Sequence, residues 1–229
     1  MKSFLLLILV ISAYSFNLRQ TKQNYDSYVM SVQWSNGFCK ASKCGSKADH
    51  VYKNKMTIHG LWPSLKSGKY LDDCTSGVTI KDDGSALFLD MRQYWPSFSN
   101  SNEYFWGHEY NKHGYCMVEE KGWSGYEDYF SFVIDLHKRT YNDLITDAFP
   151  GYSATTVTVS YNEMKAAIQK VIPNATLKMN CKSGYITEFY FYLEKDVVTP
   201  STNSKFSNKC SSGQPVSYTH LTLPTIYSV

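Results

Sequence analysis

After its first residues this 229-residue chain has no apolar run long enough to cross a bilayer, so no membrane span is expected in the body of the protein. It has no internal repeat and no long linker. It also lacks a strong charge of either sign. Its 23 Lys and Arg stand against 20 Asp and Glu, interspersed, a balance that neither demands nor forbids a polyanionic partner. There are no paired C-x-x-C knuckles, which argues against a structural zinc site. Histidine and cysteine are scarce, at six each, so any place where they gather is informative.

The opening MKSFLLLILVISAYS has one Lys, an apolar run from Phe4 to Ile11, and small residues at Ala13 and Ser15. This is the layout of a secretory signal peptide over residues 1–15, with cleavage after Ser15 and Ser12 or Ala13 as alternatives. The remainder, roughly 210 residues, suits one domain with a sizeable core. An export signal makes Cys39, Cys44, Cys74, Cys116, Cys181 and Cys210 an even set bound for an oxidising compartment. Six cysteines allow about 15 pairings, of which proximity favours only Cys39 with Cys44. Asn174-Ala175-Thr176 is a sequon, which makes Asn174 a glycan acceptor in an exported chain. The uncharged end SYTHLTLPTIYSV matches no element before it. Residues 16–216 are therefore taken as a single domain and 217–229 as a non-native or disordered tail.

Hydrophobic period and turn residues predict strands over 27–34, 55–59, 175–181 and 185–194, the second stopped by Gly60 and Pro63. Residues 37–47 read as a loop and 83–93 as a helix. Residues 126–149 are helical with a break near Thr140, with Tyr129, Phe132, Val133 and Leu136 on the buried face. Ser160 and Glu163 form a capping box that starts a helix running to Val171. Helices and strands mix without regular β-α-β alternation, which gives an α+β fold with a mainly antiparallel sheet.

The run FWGHEYNKHGYC, from Phe105 to Cys116, holds two histidines, a glutamate, a lysine and a cysteine. A zinc motif H-E-x-x-H needs its histidines at i and i+4 on one helix face. His108 and His113 are five apart, about 140° around a regular helix, so a zinc hydrolase is the runner-up. Acid–base chemistry fits better, because two imidazoles can hold a proton acceptor and a proton donor at once. His113 supplies one. His59, at the end of a strand in MTIHGLWPS and followed by Gly60, is the candidate partner. Glu109 and Lys112 add a carboxylate and a fixed cation, as a phosphoryl reaction requires.

IHGLWP (Ile58 to Pro63) and HEYNKHGYC (His108 to Cys116) closely resemble the two active-site segments of the ribonuclease T2 family, with Tyr110 in place of the usual Trp. VQW, YWPS and FWGHE extend the resemblance, from about Asn24 to Cys210. It implies a disulfide-stapled α+β domain with pairs Cys39–Cys44, Cys74–Cys116 and Cys181–Cys210. It implies metal-independent cleavage of single-stranded RNA by transesterification to a 2′,3′-cyclic phosphate and then a 3′-phosphate, with no cofactor. By the same resemblance His113 is the general base and His59 the general acid. Glu109 and Lys112 stabilise the pentacovalent phosphate, and His108 binds phosphate. Trp62 and Tyr70 match a first base site, and Gln33 and Phe105 lie near a second. Ser64 stands where some relatives carry an adenine-reading acid, so no base preference is read.

RNA is then the expected partner, DNA is not cut, and the protein is a monomer outside the cell or in a lysosomal or vacuolar lumen. The competing reading is a catalytically silent RNA-binding or signalling protein of the same fold. Intact His59, Glu109 and His113 speak against it.

Overall fold

The computed structural model describes residues 25–42, 44, 55–69, 71, 74, 76–150, 156–201, 210 and 216–219. Its centre is an antiparallel sheet of β1 (Ser27–Trp34), β2 (Met56–Ser64), β4 (Thr176–Lys182) and β5 (Tyr185–Glu194), in the order β2-β1-β5-β4. A short ribbon of β3 (Thr156–Val159) and β6 (Val216–Thr219) joins the start of β5, where Ser217 pairs in parallel with Tyr185.

Strand alternation gives this sheet two different faces. One carries Tyr28, Met30, Val32 and Trp34, with Ile58, Leu61, Leu177, Met179, Phe189, Phe191 and Leu193, all buried in one core. Fully burying such a side chain contributes about 1.5–3 kcal/mol. The other face carries Val29, Ser31 and Gln33 of β1 opposite Tyr192, Tyr190 and Glu188 of β5. This second face is where the polar site is built.

The helices are α1 (Ser35–Ala41), α2 (Ala86–Tyr94), α3 (Asn102–Glu109), α4 (Tyr115–Lys121), α5 (Tyr126–Thr140), α6 (Leu144–Ala148) and α7 (Tyr161–Val171). A π-helical turn, Tyr110–Gly114, joins α3 to α4. α5 buries Tyr129, Phe130, Val133, Ile134, Leu136 and His137, whereas Phe132 is half-buried and packs on Trp123. The capping box of α7 is formed: Ser160 Oγ accepts from the Glu163 N–H at 3.2 Å, and Glu163 Oε2 accepts from the Ser160 N–H at 2.7 Å. All six cysteines are paired, as Cys39–Cys44, Cys74–Cys116 and Cys181–Cys210.

Three elements differ from the sequence-based expectation. Residues 35–41 are helix rather than the start of a loop. This helix lies so near β5 that a side chain at Gly37 would overlap the Ile186 carbonyl. β2 does not stop at Gly60 but runs to Ser64. It is the terminal strand on its side of the sheet, where the missing N–H of Pro63 costs no ladder bond. Finally, Ser217 to Thr219 pair with β3, so the tail expected to stand apart from residue 217 begins inside a strand; its Val, Tyr and Thr are strand formers. The expected signal peptide and residues 220–229 lie outside the described residues.

Candidate active site

β1 and β2 do not stay in register. Ser31 pairs with Gly60 but Val32 pairs with Ile58, so His59 is an extra residue, a β-bulge. Without it, strict alternation would put His59 and Trp62, three apart, on opposite faces. With it, Ile58 and Leu61 stay in the core while His59 and Trp62 both reach the polar face. A bulged residue loses ladder partners. Here the His59 carbonyl accepts from the Trp95 indole N–H at 2.8 Å, and the Leu61 carbonyl accepts from the Tyr129 hydroxyl at 3.1 Å. The two buried aromatics thus hold the irregular backbone in place.

The second half of the site comes from α3 and the π-turn. Glu109 ends α3 and is 1% exposed; His113 lies in the π-turn and is 5% exposed. Asn111 ties the turn to the segment before α2: its Nδ2 donates to the carbonyls of Gly107 and Val78, both at 2.8 Å. Gly114 accommodates the Tyr129 ring, which a β-carbon would approach to 2.7 Å. Just beyond, Cys116 is tied to Cys74, and the Cys74 N–H reaches the Lys112 carbonyl at 3.4 Å. That brings the loop after β2 against the turn, so that Leu71 offers its carbonyl to His113 Nδ1 at 2.6 Å.

These segments converge on Trp62. Its ring lies 5.0 Å from that of His59, edge-on, and 5.3 Å from that of His113. Its indole N–H donates to Glu109 Oε2 at 2.8 Å. The other carboxylate oxygen, Oε1, is 3.5 Å from His59 Nε2. Opposite, His59 Nδ1 is hydrogen-bonded to Glu188 Oε1. His59 therefore stands between two carboxylates, with its side chain 27% exposed.

The two imidazoles are pushed in opposite directions. Burial disfavours charge on His59, but Glu188 and Glu109 outweigh it and raise its pKa well above the ordinary histidine value. Burial dominates at His113 and lowers its pKa, with the Glu109 charge and the Leu71 carbonyl opposing. A carbonyl can only accept, so the His113 proton sits on Nδ1 and Nε2 keeps its lone pair. Burial would raise Glu109 and Glu188, yet the charge of His59 holds both below the usual carboxylate range.

Glu188 went unread in the sequence. It is one acid in an ordinary strand, and only the β1–β5 register brings it to His59, 129 residues away. Its 8% exposure and its full set of partners mark it out. Oε1 accepts from the Ser31 hydroxyl at 2.6 Å; Oε2 accepts from the Tyr190 hydroxyl at 2.6 Å and from Asn180 Nδ2 at 3.1 Å.

The remaining candidates fall into place unevenly. Phe105 stacks obliquely 5.6 Å from His59, and Gln33 sits opposite Glu188 on the polar face. Trp62 is only 5% exposed and is bonded to Glu109 rather than standing free as a platform. Lys112 and His108 are exposed, His108 against the ring of Tyr104. Ser64 donates its hydroxyl to the Lys69 carbonyl at 3.2 Å. Tyr70 lies outside the described residues. The regular helix assumed in weighing the His108–His113 spacing is replaced by the π-turn, so the angle of about 140° does not apply as stated.

Residues 25–214 match the model of the ribonuclease T2 family. The chain is 30% identical to ribonuclease Rh of Rhizopus niveus over 207 residues, 82% of this chain and 80% of that one. It is 34% identical to ribonuclease T2 of Sus scrofa over 115 residues, 48% of this chain and 52% of that one. The fold superposes on the SF11-RNase of Nicotiana alata with a TM-score of 0.67 at 20% identity, covering 84% of this chain and 98% of that one. With ribonuclease MC1 of bitter gourd seeds the TM-score is 0.65 at 23% identity, covering 82% and 98%. A bulged histidine strand facing a histidine π-turn, and a family match that spans nearly all the described residues, lead to one assignment: this chain belongs to the ribonuclease T2 family.

Proposed function

We propose that this member of the ribonuclease T2 family cleaves single-stranded RNA by metal-independent transesterification, with His113 as general base and His59 as general acid. The observation that carries the reading is the opposed displacement of the two imidazoles. A neutral histidine that can take a proton and a charged one with protons to give are what acid–base catalysis needs at one pH. His113 Nε2 takes the proton of the ribose 2′-OH. The 2′-oxygen forms its bond to phosphorus as the bond to the 5′-oxygen breaks, and His59 Nε2–H protonates that leaving oxygen. Glu109 lies 3.5 Å from Nε2, a long contact that a substrate oxygen can replace. The cyclic phosphate is then opened by water with the two roles exchanged.

In this geometry Glu109 uses its oxygens on Trp62 and His59, so it acts by anchoring the indole and sustaining the imidazolium charge. Lys112, exposed beside the cluster, is the cation that meets the phosphate, and the exposed His108 is a further phosphate contact. The nucleophile belongs to the substrate, so no metal is called on to make one, and DNA is left intact. Six paired cysteines suit an exported monomer, and Asn174, exposed in the turn between α7 and β4, suits a glycan.

The test is cleavage of a mixed-sequence single-stranded RNA in EDTA by the wild type and by His59→Ala and His113→Ala. We expect activity in chelator, cyclic phosphate products, and a loss of about 10²- to 10⁴-fold in each variant. Activity that depends on added divalent metal, equal cutting of DNA, or full activity in His113→Ala would overturn the reading.

A further inference from the structure

We infer that Glu188 is a positioning residue for the reaction: its carboxylate fixes the His59 ring through Nδ1 and keeps that ring cationic, so that Nε2 is the atom that delivers the proton. The inference rests on the proposed acid role of His59.

The geometry leaves Glu188 little freedom. It is buried on β5, and three donors surround its carboxylate besides His59: the Ser31 hydroxyl from β1, the Tyr190 hydroxyl from β5 and the Asn180 amide from β4. Three strands therefore aim one carboxylate at one ring nitrogen. Nothing in packing calls for an acid here. A buried carboxylate is costly to desolvate, and the nearby cation on this face, Lys178, lies over the Tyr190 ring at 5.2 Å. An anion is needed where a cation must be held. The Asn180 amide is itself shared between Glu188 and the Tyr190 hydroxyl, at 3.1 and 2.6 Å, so the donors are organised before any substrate arrives.

The charged and titratable groups that face His59 are Glu188 from β5, Glu109 from the end of α3 and His113 from the π-turn. Trp62 and Phe105 close the ring's flanks without charge of their own. The two carboxylates divide the work by position. Glu109 faces Nε2 at 3.5 Å, the nitrogen that must turn to substrate, while Glu188 holds Nδ1, the nitrogen that never needs to leave. Losing Glu188 removes an orientation and half of the negative charge. Losing Glu109 also disturbs Trp62.

The decisive variant is Glu188→Gln, which keeps the size and loses the charge. Cleavage of single-stranded RNA in EDTA is followed from pH 4 to 9, and the His59 ring is titrated by NMR in both proteins. The acidic limb of the profile belongs to His113 and should stay. The alkaline limb belongs to His59 and should move down by about one pH unit or more, a loss of roughly tenfold at pH 8 with near-normal rates around pH 5. Glu188→Asp, which restores the charge, should return the alkaline limb toward the wild-type position while leaving the rate below it. A uniform loss at every pH, or an unmoved His59 titration in a folded variant, would overturn the inference. The NMR titration reads Glu188 even if the wild type leaves RNA uncut, so failure of the reaction assignment and failure of this inference give different results.

Discussion

Gly60 leaves room for Glu109: a β-carbon on residue 60 would overlap both the Oε2 atom of Glu109 and the indole nitrogen of Trp62 that is bonded to it. The glycine is required by space and not by an unusual backbone angle. Gly60→Ala should therefore cost about 1–3 kcal/mol in stability through overpacking. It should also lower RNA cleavage by roughly 10- to 100-fold, since displacing a catalytic cluster by about 1 Å is enough for that. Denaturant unfolding and initial rates measure the two effects. A variant with wild-type rate would show that the Glu109–Trp62 contact is dispensable.

Trp62→Phe keeps an aromatic ring between the two imidazoles and removes one N–H. Glu109 then stays buried with one donor fewer, which should destabilise the protein by about 1.5–3 kcal/mol, the range for hydrogen bonds to charged groups. The carboxyl should take up a proton more readily, so cleavage should fall most at acidic pH. If Trp62 served only as a surface for a base, melting temperature and acidic activity would both be unchanged.

His137 predicts how the protein responds to acid away from the site. It is fully buried on α5, its Nε2–H donates to the Met56 carbonyl at 3.1 Å, and its Nδ1 has no partner. Burial lowers its pKa from 6.5 to about 4, so the folded state prefers the neutral ring. The resulting stability is present above about pH 6.5 and is lost as pH falls from 6.5 toward 4, for a total of about 3 kcal/mol. His113, also lowered, acts in the same sense. The depressed Glu109 and Glu188 lose their contribution only as pH falls below their unfolded value near 4.5, and His59, raised, changes above 6.5. Urea midpoints at pH 7 and pH 4.5 for wild type and His137→Phe isolate the effect: the variant should show the smaller drop. Equal drops would mean that His137 takes up its proton alike in the folded and unfolded states.

What could be read from the letters was whatever repeats locally. The alternation in SYVMSVQW and in YITEFYFYLE, and the capping box at Ser160, each describe their own neighbourhood, and each element formed where it was expected. His59, Glu109 and His113 were legible because their residue types are rare and clustered. Glu188 was not, because its meaning lies in a pairing between strands separated by most of the chain. The end of β2 was misread because Gly60 and Pro63 are ordinary stop signals. Here the glycine answers to Glu109 and the proline to the strand's place at the border of the sheet. Helix α1 was missed for a related reason: Ser, Asn and Gly are loop residues by propensity, and the close approach of Gly37 to Ile186 overrides them.

The unpaired position at residue 59 means that strand length is itself a chemical requirement in this protein. Drawing the same residues into an unbroken ladder would turn the imidazole and the indole, three positions apart, to opposite sides of the sheet. The ladder would be better formed, and the cluster of His59, Trp62 and Glu109 would come apart. A substitution along this strand alters one contact, whereas a change in its count of residues re-aims every side chain beyond the bulge.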